Sequence, residues 1–274
     1  MTATRRQRHA CVHGRVLRVR LTILGCSGSV PGPNSPASGY LIEADGFVLG
    51  LEFGNGVLAA LQAERDPFDL DALLLSHLHP DHCADVTALT VLRRYHPAPP
   101  YDRRPVRLPL YAPVDAPWRL ANAYAPNPAE RETTDLSDTY DFATLTTGSL
   151  RIGPFTVTAA EVAHPTEAFG LRIEHGGSIL AYSGDTGPCA TLDDLARDAD
   201  VLLCEASWTD AADRPADVHL SGVQAGELAR RAGAKRLLLT HIAPWTDRAA
   251  ILAEARGVVG DRAELAERGS VYQF

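Results

Sequence analysis

Six consecutive residues, His77-Leu78-His79-Pro80-Asp81-His82, constrain this chain more than any other part of it. They directly follow the apolar run 72–76, which reads as a buried strand, and they lead into a helical stretch over 81–94. In extended chain alternate side chains share one side, so His77 and His79 face a common cleft. Asp81 and His82 reach the same cleft from the start of the helix. Three imidazoles and a carboxylate form a donor set suited to zinc, iron or manganese. The bare pattern also fits a polar turn with Asp81 capping the helix. The choice rests on whether other segments deliver donors to the same place.

Three segments do. His164 follows a β-type run at 155–162, Asp185 follows the run 178–183 through Gly184, and His241 ends the apolar run 237–240. Any one of these alone would more often be a hydrogen-bonded structural residue. Together they place a donor at the end of each of several strands, as a cleft along a sheet edge requires. Further strands are expected at 16–24, 108–112, 170–174, 201–205 and 270–274. A hairpin is expected from 40–44 to 47–52 about Asp45-Gly46, a pair that permits positive φ. Helical spacing marks 55–64, 189–197, 221–233 and 247–257. Seven prolines within 97–117 forbid a continuous helix there. No repeat and no long linker divides the chain. The expected organisation is a basic arm over residues 1–20 and one α/β domain over 21–274.

Charge narrows the partners. The 274 residues carry a formal charge of −8, but six arginines and no acid fall in the first twenty. The remainder therefore holds 20 basic residues against 34 acidic ones. An acidic body argues against clamping a long nucleic acid by phosphate neutralisation, yet it permits a small anion held by metal ions. Five scattered cysteines with no C-x-x-C spacing fit a reducing cytoplasm. No apolar stretch approaches the ~18 residues of a membrane span, and the basic arm lacks the apolar centre of a signal peptide. His9, Cys11 and His13 read as incidental residues of that arm. If the chain self-associates, a homodimer is the expected form.

With the histidine motif and its three distant partners in place, the sequence resembles the metallo-β-lactamase superfamily. That resemblance implies a four-layer αββα sandwich holding two divalent metal ions, zinc foremost, with iron or manganese as alternatives. It assigns His77, His79 and His164 to one metal and Asp81, His82 and His241 to the other, with Asp185 bridging both. Asp81 would also orient a bridging hydroxide. Cys204-Glu205-Ala206-Ser207-Trp208 and His219-Leu220-Ser221 are similar to motifs of the ribonuclease Z branch. There a histidine contacts the scissile phosphate and protonates the leaving oxygen, with a carboxylate orienting it, which implies catalytic roles for His219 and Glu205. Cysteine and serine here flank the Glu-Ala pair where that branch has histidine and threonine. Glu52 stands where the superfamily usually has aspartate and is expected to support the histidine loop without being a ligand.

His164 and Asp185 lie only 21 positions apart, leaving no room for the arm with which tRNA-processing members of that branch grip their substrate. At finer grain the chain looks like the actinobacterial cyclic-nucleotide phosphodiesterases of the atypical class II group. The likeness runs through 24–30, 36–40, the histidine motif, 93–97, 163–167, 182–187, 204–209 and 239–245. It implies hydrolysis of 3′,5′-cyclic AMP, and of cyclic GMP as a second substrate, to 5′-monophosphates. The competing readings are a ribonuclease Z-like nuclease without the arm, a thioester or lactone hydrolase, and a non-catalytic nucleotide or metal sensor. Ser27, Ser29 and Asn55 are expected near the cleft, Cys83 as a packing residue, and 94–118 as a pocket wall or dimer surface.

Overall fold

A computed structural model describes residues 19–102, 104 and 106–274. The arm expected over 1–20 therefore lies outside the described residues up to position 18. Val19 is buried and Arg20 opens the first strand, where it pairs with Glu43.

Two seven-stranded sheets form the centre. The first contains β1 (Arg20–Gly25), β2 (Gly39–Ala44), β3 (Phe47–Phe53), β4 (Ala72–Leu74), β5 (Leu108–Ala112) and β6 (Tyr140–Thr144). The second contains β7 (Gly148–Ile152), β8 (Phe155–Glu161), β9 (Phe169–His175), β10 (Ser178–Tyr182), β11 (Val201–Glu205), β12 (Leu237–Thr240) and β13 (Ala263–Leu265). The last strand, β14 (Val271–Gln273), returns to the first sheet beside β1, giving the orders β14-β1-β2-β3-β4-β5-β6 and β13-β12-β11-β10-β9-β8-β7.

Alternation along the strands builds three separate cores. Leu21 and Ile23, Tyr40 and Ile42, Leu49 and Leu51 point between the sheets, where they meet Phe155, Val157, Leu171, Tyr182, Leu203 and Leu238. The neighbours Leu41, Val48 and Leu73 face outward, against α1 (Val57–Glu64), α3 (Val86–Tyr95) and α4 (Ala116–Tyr124). Leu202, Cys204, Leu237 and Leu239 likewise face α6 (Thr191–Leu195), α7 (Gly222–Ala232) and α8 (Arg248–Val259). Helix, sheet, sheet, helix: this is the four-layer αββα sandwich.

The hairpin about Asp45 and Gly46 is present, with φ of 52° and 79°. The helix expected over 81–94 is instead two, α2 (Pro80–Cys83) and α3. The break falls at Ala84-Asp85, where the Asp85 amide donates to the Phe53 carbonyl and its carboxylate accepts from Leu58 N. Tying that turn to the end of β3 outweighs continuing the helix. Unforeseen elements are β6, β7, β13, α4 and the short α5 (Pro128–Arg131). Among the described residues no helix is long and apolar enough to cross a membrane.

Position of the site follows from strand direction. β3, β4, β5 and β6 run parallel, as do β10, β11, β12 and β13. Their C-terminal ends therefore share one edge of each sheet, and the loops leaving those ends meet.

Candidate metal centre

All seven candidate ligands converge at that edge. Ser76 closes the extended chain after β4 and its amide donates to Glu52 Oε1 at 3.1 Å. The next turn aims His77 and His79 inward, and α2 supplies Asp81 and His82 from its first turn. His164 follows β8, Asp185 follows β10 through Gly184, and His241 follows β12. The backbone of Glu52 and of His241 is left-handed, with φ of 59° and 54°. Such a conformation in non-glycine residues costs about 1–3 kcal/mol each, and here it accompanies His241 in the cleft and Glu52 behind His82. Two glycines permit the tight packing behind them. A Cβ on Gly28 would lie 2.4 Å from the His241 carbonyl oxygen, and one on Gly54 would lie 1.9 Å from that of Asp81.

The donors fall into two groups sharing Asp185, each with its ligand atoms within 4.8 Å of one another. The outer group is His77, His79, His164 and Asp185. His77 Nε2 is 3.1 Å from His79 Nδ1, and His79 Nδ1 is 3.2 Å from His164 Nε2. The inner group is Asp81, His82, Asp185 and His241. Asp81 Oδ2 is 3.0 Å from His241 Nε2, and Asp185 Oδ1 is 3.2 Å from His82 Nε2.

Each arrangement is braced from behind. The carbonyl of Val218, which can only accept, lies 3.1 Å from His164 Nδ1 and leaves Nε2 as the lone-pair side. His241 Nδ1 meets Ser207 Oγ at 2.9 Å and His77 Nδ1 meets Ser76 Oγ at 3.1 Å. Glu52 Oε1 stands 3.6 Å behind His82 Nδ1, in the supporting position expected of it. Ser29 contributes its amide, which donates to Asp81 Oδ2 at 2.7 Å.

The electrostatics identify a place prepared for positive charge. Burial pushes His77 well below the ordinary histidine value, and it lowers His79 and His164 as well, keeping their lone pairs free. Burial also opposes charge on His82, but Asp185 and Glu52 outweigh it and hold His82 well above the ordinary value. Asp185 is pushed up by burial and pulled further down by His241, His82 and His77, so it stays ionised. Three carboxylates, Glu52, Asp81 and Asp185, are thus buried around a few rings. Both ring nitrogens of His82 and Asp185 Oδ1 have no hydrogen-bond partner although buried. Divalent cations answer both the excess charge and the orphaned donor atoms, so the residues present fit the metal pair implied by the sequence.

The expected catalytic pair lies beside the two groups. His219 Nδ1 is 2.9 Å from Glu205 Oε1, and its ring centre is 5.8 Å from that of His164 and 5.4 Å from that of His241. Burial pulls the His219 value down, but the Glu205 carboxylate outweighs it and raises it to about 8. Glu205 itself ends β11, fully buried, and accepts from the amides of Thr186 and Leu220. With its oxygens so occupied it orients His219 more readily than it could ligate a cation.

Ser207 was not singled out by sequence, yet its hydroxyl reaches Glu205 Oε2 at 2.9 Å as well as His241. It ties the orienting carboxylate to the inner group. The only signal was its place in the Cys-Glu-Ala-Ser run. Asn55 follows β3 beside the cleft loops, its carbonyl accepting from the Ala37 amide. Cys83 is buried and its thiol is pushed up to about 11, as suits a packing residue. Within 94–118, Trp118 does line a cavity, together with His79.

Comparison with known proteins agrees with this geometry. Residues 53–242 match the family model of the beta-lactamase superfamily domain. The uncharacterized protein Rv1339 of Mycobacterium tuberculosis is 50% identical over 252 residues, covering 90% of each chain. A ribonuclease Z of Mycolicibacterium paratuberculosis is 32% identical over 254 residues, covering 82% of this chain and 86% of its own. The crystal structure of the metallo-beta-lactamase fold protein YhfI from Bacillus subtilis superposes with a TM-score of 0.79 at 27% identity, covering 94% of this chain and 100% of that one. Sandwich, strand-end donors and relatives lead to one statement: this chain belongs to the metallo-β-lactamase superfamily and is a metal-dependent hydrolase.

Proposed function

We propose that this hydrolase is a phosphodiesterase that opens 3′,5′-cyclic nucleotides, cyclic AMP foremost, to 5′-monophosphates. The observation that carries the reading is the His219–Glu205 pair at 2.9 Å, set beside both donor groups. An alkoxide is a poor leaving group, and a proton delivered to it as the bond breaks accelerates cleavage about 10²–10⁴-fold. Glu205 occupies Nδ1, which leaves Nε2–H to donate. His77, His79, His164, Asp81, His82 and His241, with Asp185 shared, are the residues that would hold two divalent ions. Such ions supply positive charge that acidifies water and offsets charge on a phosphoryl oxygen. In the reaction one P–O bond forms from water, which releases a proton to solvent, the P–O3′ bond breaks, and His219 gives its proton to O3′ and regains one from solvent. Glu205 keeps the imidazole in the donating orientation throughout.

Two observations favour a small substrate over tRNA. The interval from His164 to Asp185 is taken up by β9 and β10, joined at Gly176-Gly177 within the sheet, so no arm leaves it. The acidic balance of the chain disfavours a long polyanion. The ribonuclease Z relative supports phosphodiester cleavage as the chemistry without naming the substrate here.

The test is a substrate panel of cyclic AMP, cyclic GMP, 2′,3′-cyclic nucleotides, pre-tRNA, a thioester and a lactone, with bound metal measured in parallel. Turnover of 3′,5′-cyclic nucleotides to 5′-monophosphates, lost on metal removal, is expected. Metal-loaded protein inert on them but active on pre-tRNA, the thioester or the lactone would overturn the proposal.

A further inference from the structure

A cavity of about 300 Å3 opens beside His219, between Trp208 and the loop 209–217. Its lining includes His219 but none of the seven candidate ligands, so it occupies the flank of His219 that the donor groups leave free. The Trp208 indole meets the His219 ring edge-on, at 80° and 5.1 Å between centres. The exposed Arg214 lies over the indole, its guanidinium carbon 5.4 Å from the ring centre, while its Nε donates to the Thr209 carbonyl. Asp210 and Asp217 complete the charged part of the lining.

We infer that this cavity is the subsite for the nucleobase of the cyclic nucleotide, with Trp208 as its stacking platform. The inference rests on the phosphodiesterase reading and deepens it. A general acid must touch the leaving oxygen, so the organic group attached to that oxygen extends past His219. The cavity that begins at His219 is where that group arrives. Trp208 offers a π face to any base, and the flat guanidinium resting there shows that the face admits a planar group. Arg214 is exposed and lightly tethered, so an entering ring can take its place, with the cation moving aside or covering the ring. Asp210 and Asp217 offset Arg214 and His219 around the lining, which accepts a neutral base.

Two measurements test the subsite. The first compares kcat/KM for cyclic AMP with that for a base-free analogue of the same ring, methyl riboside 3,5-cyclic phosphate. The preference for the base-bearing substrate falls about tenfold or more in Trp208→Leu and is restored by Trp208→Phe. The second leaves Trp208 in place. In the double variant Trp118→Phe/Trp245→Phe it is the remaining indole of three, and its fluorescence is quenched by 5′-AMP but not by ribose 5-phosphate. Equal response to both ligands, or a substrate preference unchanged in Trp208→Leu, would overturn the inference. Selective quenching in a protein that hydrolyses no cyclic nucleotide leaves the subsite standing and removes only the proposed reaction. Turnover of cyclic AMP without quenching or preference removes only the subsite.

Discussion

The two donor groups share Asp185 but are built differently. In the inner group all four residues are buried, two are carboxylates, and Glu52 presses on His82 from behind. In the outer group His79 and His164 are only half-buried, and three neutral imidazoles meet the single shared carboxylate. Charge and enclosure both favour the inner position, so it should hold a cation more tightly and exchange it more slowly. Two positions in one cleft can thus differ in role: one retained, the other easily lost and refilled.

The hardest blow to this contrast is Asp185→Asn, which takes the only carboxylate from one group and one of two from the other. Metal content should fall below one per chain, with activity down on the order of a thousandfold, as measured by elemental analysis and initial rates. Retention of two metals at full activity would show that Asp185 is not the shared residue. Glu52→Gln should be milder and one-sided. It lowers affinity at the inner position by about 10–100-fold and leaves the outer one nearly unchanged, by metal titration. An equal loss at both positions would erase the distinction.

Stepwise chelation should release metal in two phases about tenfold or more apart in rate. His79→Ala should remove the fast phase, and a single phase in the wild type would refute the asymmetry. The smallest effect concerns His219, which borders both groups. In the metal-free protein its imidazole should titrate near 8, against an ordinary 6.5. Its protonation therefore stabilises the fold fully below pH 6.5, and that contribution is lost as the pH rises through about 8. Glu205→Gln should move the titration down, and metal loading should also lower it, followed by histidine NMR.

Much of the cleft was legible because its residues stand at strand ends. Runs such as 72–76 and 237–240 announce a buried parallel strand by composition, and the polar residue that ends each one has nowhere to go but the sheet edge. What sequence could not supply was distance. Glu52 was recognisable as a departure from the family pattern, but its approach to His82 depends on a left-handed backbone that no local rule demands. Ser207 gains its role only when β11 and β12 pair in register, Glu205 against Thr240. α4 was hidden by Pro113 and Pro117, although proline in a first helical turn is tolerated. The strands β6 and β7 lie at sheet edges and are partly exposed, so their apolar alternation is weak.

The pairing of β14 with β1 has a consequence for how the protein is made. Val19 and Phe274 exchange amide-to-carbonyl hydrogen bonds, and Arg20 lies opposite Gln273. During synthesis the half bearing the histidine motif leaves the ribosome first, with the free edge of β1 waiting for a partner more than two hundred residues away. His241 follows Asp81 by 160 residues. The inner position is therefore completed late, and an immature chain presents the outer histidines before the inner site exists. The order of translation thus runs from the outer donors to the inner ones: His241 is the last of the seven to be made and joins them only as the sandwich closes.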